Sequence, residues 1–109
     1  MKLSTTVYNK MLDKYFYNEG NTLYAVLYDD NDVQVGFQLV SFPNASNGEV
    51  QNSSAIVFSI NAGETVSKLE IEDENSFLIL VEDLENKTFA TNGTYSINVV
   101  SVKLENGDD

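Results

Sequence analysis

The chain has 109 residues and a formal net charge of −11, from 17 acidic residues against six lysines, with no histidine and no cysteine. This length fits a single domain with a core of its own. The charge disfavours nucleic acids and anionic membranes as partners, because both select cationic groups. Without His or Cys, thiolate metal sites and His- or thiol-based nucleophilic catalysis are excluded.

One helix is predicted, over residues 4–17, because apolar side chains recur there at three- and four-residue steps. The apolar stripe consists of Leu3, Val7, Tyr8, Met11, Leu12, Tyr15 and Phe16. Polar residues, Asn9 and Asp13 among them, fill the other face. Ser4 can cap the start, and residues 18–21 are expected to end the helix. The stripe either packs on a sheet and closes one end of the core, or docks on a partner chain.

The rest of the chain, residues 22–104, is typical of about seven strands separated by turn residues. The predicted strands are 22–28, 33–42, 50–60, 66–71, 77–81, 88–90 and 94–104. This spacing predicts one mainly β domain, an antiparallel β-sandwich of jelly-roll or immunoglobulin-like type with an N-terminal helix. Residues 105–109 are predicted to be a frayed acidic tail.

Local signals refine this layout. Residues 48–71 are expected to form a hairpin-like unit, and Asn92-Gly93 signals a second hairpin. The acidic segment 82–87 is predicted to be a turn. The apolar alternation changes phase near Leu39 and again near Val99, which predicts a β-bulge at each place.

The carboxylates suggest little chemistry. They cluster in predicted turns, at 29–32, 70–74 and 82–85, where water solvates them like other surface charges. Paired carboxylates could in principle hydrolyse glycosides. We therefore predict no catalytic residue, no cofactor and no enzyme activity. The oxygen-rich run Asp29–Asp32 is the best candidate for Ca²⁺, but it lacks EF-hand spacing, and a turn also favours Asp and Asn. No metal site is assigned.

Five of the six tyrosines lie within the first 28 residues. Aromatic side chains with a polar tip suit protein interfaces and sugar-stacking platforms, and they can also line the contact between a helix and a sheet. All three readings stay open. The candidate interface residues are Val7, Tyr8, Met11, Tyr15, Tyr17, Tyr24 and Tyr28.

Several segments, taken in order, resemble a family of small tailed-phage virion proteins labelled tail-fibre or structural proteins. They are Leu3-Ser4-Thr5 and Tyr15-Phe16 at the two ends of the helix, Leu23–Leu27, Val35–Gln38 with Val40–Phe42, Gly48–Asn52 with Ile56–Phe58, and Gly93–Ile97.

The resemblance implies a non-enzymatic structural protein of the virion: a head-fibre or capsid-decoration subunit, or a tail subunit. It would be made in the cytoplasm of the host bacterium. Its expected partners are other copies of itself and capsid, portal or tail proteins. The alternative on the same fold is a carbohydrate- or receptor-binding module that recognises a host-surface glycan, since sandwiches carry many functions.

Overall fold

The computed structural model describes residues 2–17 and 22–104. The helix α1 (Thr5–Leu12) continues into one π-helical turn (Asp13–Tyr17). The strands are β1 (Leu23–Tyr28), β2 (Gln34–Val40), β3 (Glu49–Gln51), β4 (Ile56–Ile60), β5 (Thr65–Asp73), β6 (Leu78–Thr88), β7 (Gly93–Ile97) and β8 (Ser101–Lys103). The predicted fold class, mainly β with antiparallel sheets and one N-terminal helix, is confirmed. The predicted helix end at 18–21 and the tail at 105–109 lie outside the described residues.

The first layer is an antiparallel sheet with strand order β2-β1-β5-β6. Its inner face is apolar because alternate residues of β1 and β5 point the same way, and Ala25 lies opposite Ile71 while Leu27 lies opposite Leu69. All four side chains are fully buried. The two central strands, β1 and β5, therefore supply these buried side chains on the core side of the sheet.

The second layer is a two-stranded ribbon in which β3 pairs with β8 and β4 pairs with β7. Ile56 and Phe58 on β4 are buried, whereas Val57 between them is exposed. Gly36 on β2 lies between the layers, where an added Cβ would be 3.1 Å from a ring carbon of Phe58. The Gln38 side chain also donates a hydrogen bond to the Val57 carbonyl, 3.1 Å away. The two layers therefore share one core.

The molecule is flat and elongated. Its principal extents are 51 × 34 × 22 Å, and its radius of gyration is 15.4 Å. A compact chain of this length has a radius of about 13 Å. The shortest extent fits two layers packed about 10 Å apart. Much of each sheet thus lies near solvent.

Asn52 joins the two halves of the ribbon where its register shifts by one residue. Its backbone N–H donates to the Val100 carbonyl at 3.2 Å, and its side-chain oxygen accepts the Val100 N–H at 2.7 Å. Its amide nitrogen donates to the carbonyls of Ser54 at 2.6 Å and Asn98 at 3.2 Å. One buried side chain therefore replaces the ladder hydrogen bonds that the interruption removes.

Three local predictions are wrong. Residues 48–71 do not form a hairpin, because β4 pairs with β7 while β5 pairs with β1 and β6. Asn92-Gly93 is not the turn of a hairpin, because the strands before and after it do not pair: β6 pairs with β5, and β7 begins at Gly93 and pairs with β4. The segment 82–87 is not a turn but part of β6, which is an edge strand and so tolerates polar residues.

The predicted bulges have different outcomes. The irregularity in β2 lies at Val35, where the pairing of Leu27 with Gly36 gives way to Tyr28 with Gln34, and not near Leu39. The phase change near Val99 does coincide with an interruption of the strand, between Ile97 and Ser101.

Asn52→Ala should lower the free energy of unfolding by about 3 kcal/mol, because it leaves the Val100 N–H and two carbonyls without partners in a buried site. Urea unfolding followed by circular dichroism measures the change. Asn44→Ala is the matched control, since Asn44 is exposed, and it should stay within about 0.5 kcal/mol of wild type. Equal stabilities for the two variants would contradict this role for Asn52.

Candidate interaction surfaces

The inner face of the helix closes one end of the core, as one of the two sequence hypotheses held. Leu12 and Phe16 are buried in the core cluster. The Phe16 ring meets the Phe42 ring edge-on, with centroids 5.1 Å apart. Only these two residues of the predicted stripe are fully buried among the described residues.

Two polar side chains fix the orientation of the helix. Asn9 accepts a hydrogen bond from the Gly48 N–H at 2.8 Å, and Asp13 accepts one from the Ala45 N–H at 2.6 Å. Gly48 has a φ of 74°, and an added Cβ would lie 2.8 Å from the Leu104 carbonyl oxygen, so only glycine fits there. The prediction that Asn9 and Asp13 fill the face opposite the apolar stripe is therefore wrong, because both bind the backbone on which the helix packs.

Three other apolar side chains of the helix form an exposed line, here called the helix ridge: Val7, Met11 and Tyr15. Their four-residue spacing places them above one another on one side of the helix. The Tyr15 ring stacks on Phe77, with centroids 6.3 Å apart, and Phe77 is itself exposed. The ridge thus continues onto the start of β6.

A second exposed surface, here called the outer sheet face, lies on the side of the four-stranded sheet away from the core. Two rows of paired residues cross it from β2 to β6: Leu39, Tyr24, Glu72 and Leu78 in one row, and Phe37, Val26, Glu70 and Val81 in the other. Val26 is only 3% exposed yet does not belong to the core cluster, so it is covered by its neighbours on this face. The outer sheet face is therefore apolar at both edges and acidic along β5.

Aromatic rings meet on the β2 side of this face. The rings of Tyr24 and Phe37 stack with centroids 4.8 Å apart and an interplanar angle of 29°. Phe37 is nevertheless 53% exposed. The stack presents a flat apolar platform beside the carboxylates of β5.

A hydrogen-bonded charge cluster borders the platform. Lys68 lies 2.6 Å from an Asp32 oxygen and 3.1 Å from a Glu70 oxygen, and these hydrogen bonds raise the pKa of Lys68 to about 12. Tyr28 donates its hydroxyl hydrogen to Glu72 at 3.0 Å. Burial and that hydrogen bond raise the pKa of Tyr28 to about 12. The cluster keeps Tyr28 neutral and Lys68 charged.

The predicted interface residues other than Tyr8 fall into two groups. Val7, Met11 and Tyr15 share the helix ridge, with Tyr17 exposed at the end of the π-helical turn. Tyr24 and Tyr28 instead belong to the sheet.

Tyr8 is half-buried beside Gly48, so it belongs to the contact that holds the helix, here called the helix anchor, in which the Gly48 N–H donates to Asn9. It does not belong to the ridge. Sequence reasoning missed the apolar members of the outer face, Phe37, Leu39, Leu78 and Val81. Clean alternation in β2 was the available signal, but alternation does not say which face is buried.

The acidic turns have a structural use. Asp29 accepts the N–H groups of Asn31 and Val33 at 2.8 and 2.9 Å, closing the β1–β2 hairpin. Asp73 closes the β5–β6 hairpin in the same way, with Asn75 and Phe77 as donors. Within residues 2–17 and 22–104, no group of three His, Cys, Asp or Glu residues could hold a metal ion. The two hydrogen bonds to Asp29 support the turn interpretation of Asp29–Asp32.

No helix among the described residues is long and apolar enough to cross a membrane. No family model, curated protein or solved structure matches the chain. The helix ridge and the outer sheet face are exposed apolar surfaces of the described residues.

Tyr28→Phe should remove the component of the phenolate absorbance titration that appears near pH 12. A pKa above the ordinary value of 10.0 means that the folded state holds its proton more tightly, so this stabilisation is complete below pH 10 and is lost as pH rises through 12. Wild type should therefore lose on the order of 1 to 2 kcal/mol more stability than Tyr28→Phe across that range. The control Tyr17→Phe should keep the late component. If the component near pH 12 were still present in Tyr28→Phe, its assignment to Tyr28 would be wrong.

Proposed function

We propose that the chain is a non-enzymatic structural protein of a bacteriophage virion, a head-fibre or capsid-decoration subunit or a tail subunit. It assembles through its apolar, tyrosine-bearing surfaces. The observation that carries the proposal is the pair of exposed apolar surfaces, the helix ridge and the outer sheet face, on a domain whose core is already closed.

The composition of these surfaces supports assembly. Monomeric proteins rarely expose contiguous apolar patches larger than a few hundred Å², and larger ones commonly mark contact sites. Met, Tyr and Phe, the types found here at Met11, Tyr15 and Phe37, are enriched in protein interfaces. Covering them removes apolar area from water at about 25 cal/mol per Å².

The virion is proposed as the place of assembly because of the resemblance of the sequence segments to small tailed-phage proteins. Two of those segments have a definite use in the fold. Gly48–Asn52 holds both the helix anchor and the bridging amide, and Val35–Gln38 supplies Phe37 to the outer sheet face. The resemblance thus involves residues that position the two surfaces.

Purified particles of the phage that encodes the chain should contain it at a fixed copy number, measured by quantitative mass spectrometry after density-gradient sedimentation. Met11→Glu or Leu39→Glu should reduce that copy number severalfold, because each places a charge in an apolar contact. Val57→Glu is the control, since Val57 is exposed on the opposite layer. Absence of the wild-type protein from intact particles would contradict the proposal.

A glycan-binding module is the second candidate, and the Tyr24–Phe37 platform favours it. An exposed ring can stack on the apolar face of a sugar while nearby polar groups bind its hydroxyls. Glu72 and the Tyr28 hydroxyl supply such groups close to the platform. This use needs the platform to stay uncovered in the assembled particle.

On a glycan array, this second function predicts binding that Phe37→Ala weakens about tenfold or more, which corresponds to about 1.4 kcal/mol. Phe77→Ala is the matched control, because Phe77 is an equally exposed ring outside the platform. No bound glycan, or equal losses in the two variants, would count against a sugar site at Phe37.

A further inference from the structure

We infer that the helix ridge of one copy docks on the outer sheet face of a second copy of this chain. The contact joins two unlike surfaces of the same protein. The inference rests on the proposed function and names its partner. It follows from how charge is distributed over the fold.

The charge is divided unevenly between the helix and the sheets. Residues 2–17 carry three lysines and one aspartate, a net charge of +2. Residues 22–104 carry three lysines and twelve acidic residues, a net charge of −9. The N-terminal segment that contains the helix is therefore the cationic part of a strongly acidic protein.

Cationic side chains flank the ridge itself. Lys10 and Lys14 precede Met11 and Tyr15 in sequence, and the Lys14 ammonium lies 5.6 Å from the Tyr15 ring centroid. Among the described residues, neither lysine has a carboxylate partner. The one aspartate, Asp13, binds the Ala45 N–H instead. The ridge is thus an apolar line with two ammonium groups free to meet a partner.

The outer sheet face has the complementary pattern. Its exposed apolar residues lie on the edge strands, for example Leu39 on β2 and Val81 on β6. Glu70 and Glu72 lie between them on β5, and together with Asp32 and Lys68 they form a cluster with a net charge of −2. A docked ridge would cover the apolar residues and place its ammonium groups against these carboxylates. Such pairing of opposite potentials favours one orientation over others.

The dimensions agree as well. From Val7 to Tyr15 the ridge is about 12 Å long, at 1.5 Å per residue. The outer sheet face is about 14 Å wide from β2 to β6, since neighbouring strands lie about 4.8 Å apart. One ridge therefore spans one face.

Contacts between like surfaces are less favourable. Two ridges would bring the lysines of one copy against those of the other, and two sheet faces would bring together two clusters that each carry a net charge of −2. Like charges facing each other across an interface cost free energy. The contact between unlike surfaces either closes as a reciprocal pair or repeats from copy to copy.

Cysteine cross-linking tests the contact directly, because the chain has no cysteine of its own. Met11→Cys and Leu39→Cys each place one thiol at an exposed position, one on the ridge and one on the outer sheet face. The purified variants are mixed at micromolar concentration and treated with a short bismaleimide. The mixture should give a Met11–Leu39 cross-linked dimer at least tenfold faster than a mixture of Met11→Cys with Val57→Cys.

A cross-link formed within Met11→Cys alone or Leu39→Cys alone at the rate of the mixture would overturn the inference, as would a mixture no faster than the Val57 control. Circular dichroism confirms that each variant is folded. If the mixture fails while the protein still sediments with particles, the inference is wrong and the proposed function stands. If the cross-link forms while particles lack the protein, self-association is real and the virion proposal is wrong.

Discussion

The ribbon depends on one buried amide. β3–β8 and β4–β7 differ in register by a single residue, so a continuous ladder between them is impossible. Asn52 satisfies the backbone groups that this shift leaves open, with both its side-chain oxygen and its nitrogen in use. Because unpaired polar groups in a core are costly, this side chain lets the two halves of the ribbon follow one another across the register shift.

The position of the helix follows from the ribbon. Leu104, just after β8, donates to the Gly48 carbonyl, and the Gly48 N–H in turn binds Asn9 on the helix. With Leu12 and Phe16 held in the core, the opposite side of the helix must face outward. The ridge of Val7, Met11 and Tyr15 is therefore exposed because the opposite side of the helix is fixed in the core, and not because the helix is weakly packed. That exposure is what makes the helix available to a partner.

Much of the layout was predictable from local pattern. The helix, the strands β1 and β5, and the boundary between strand and turn at Asp29 all follow from periodicity and turn chemistry. Pairing was not predictable in the same way, because β4 meets β7 across a long stretch of chain. The acidic residues of β6 also led to the prediction of a turn in place of a strand, since an edge strand can carry charge on its solvent side.

For the candidate surfaces, too, some features follow from the sequence and others only from the tertiary structure. The sequence by itself determined that the first 28 residues are rich in tyrosine, that the helix is cationic, and that the rest of the chain is acidic. Only the tertiary structure decided which apolar residues stay outside: Met11 but not Leu12, and Phe37 but not Phe58. The physical reason is that periodicity assigns a residue to a face, while burial of that face depends on which layer packs against it.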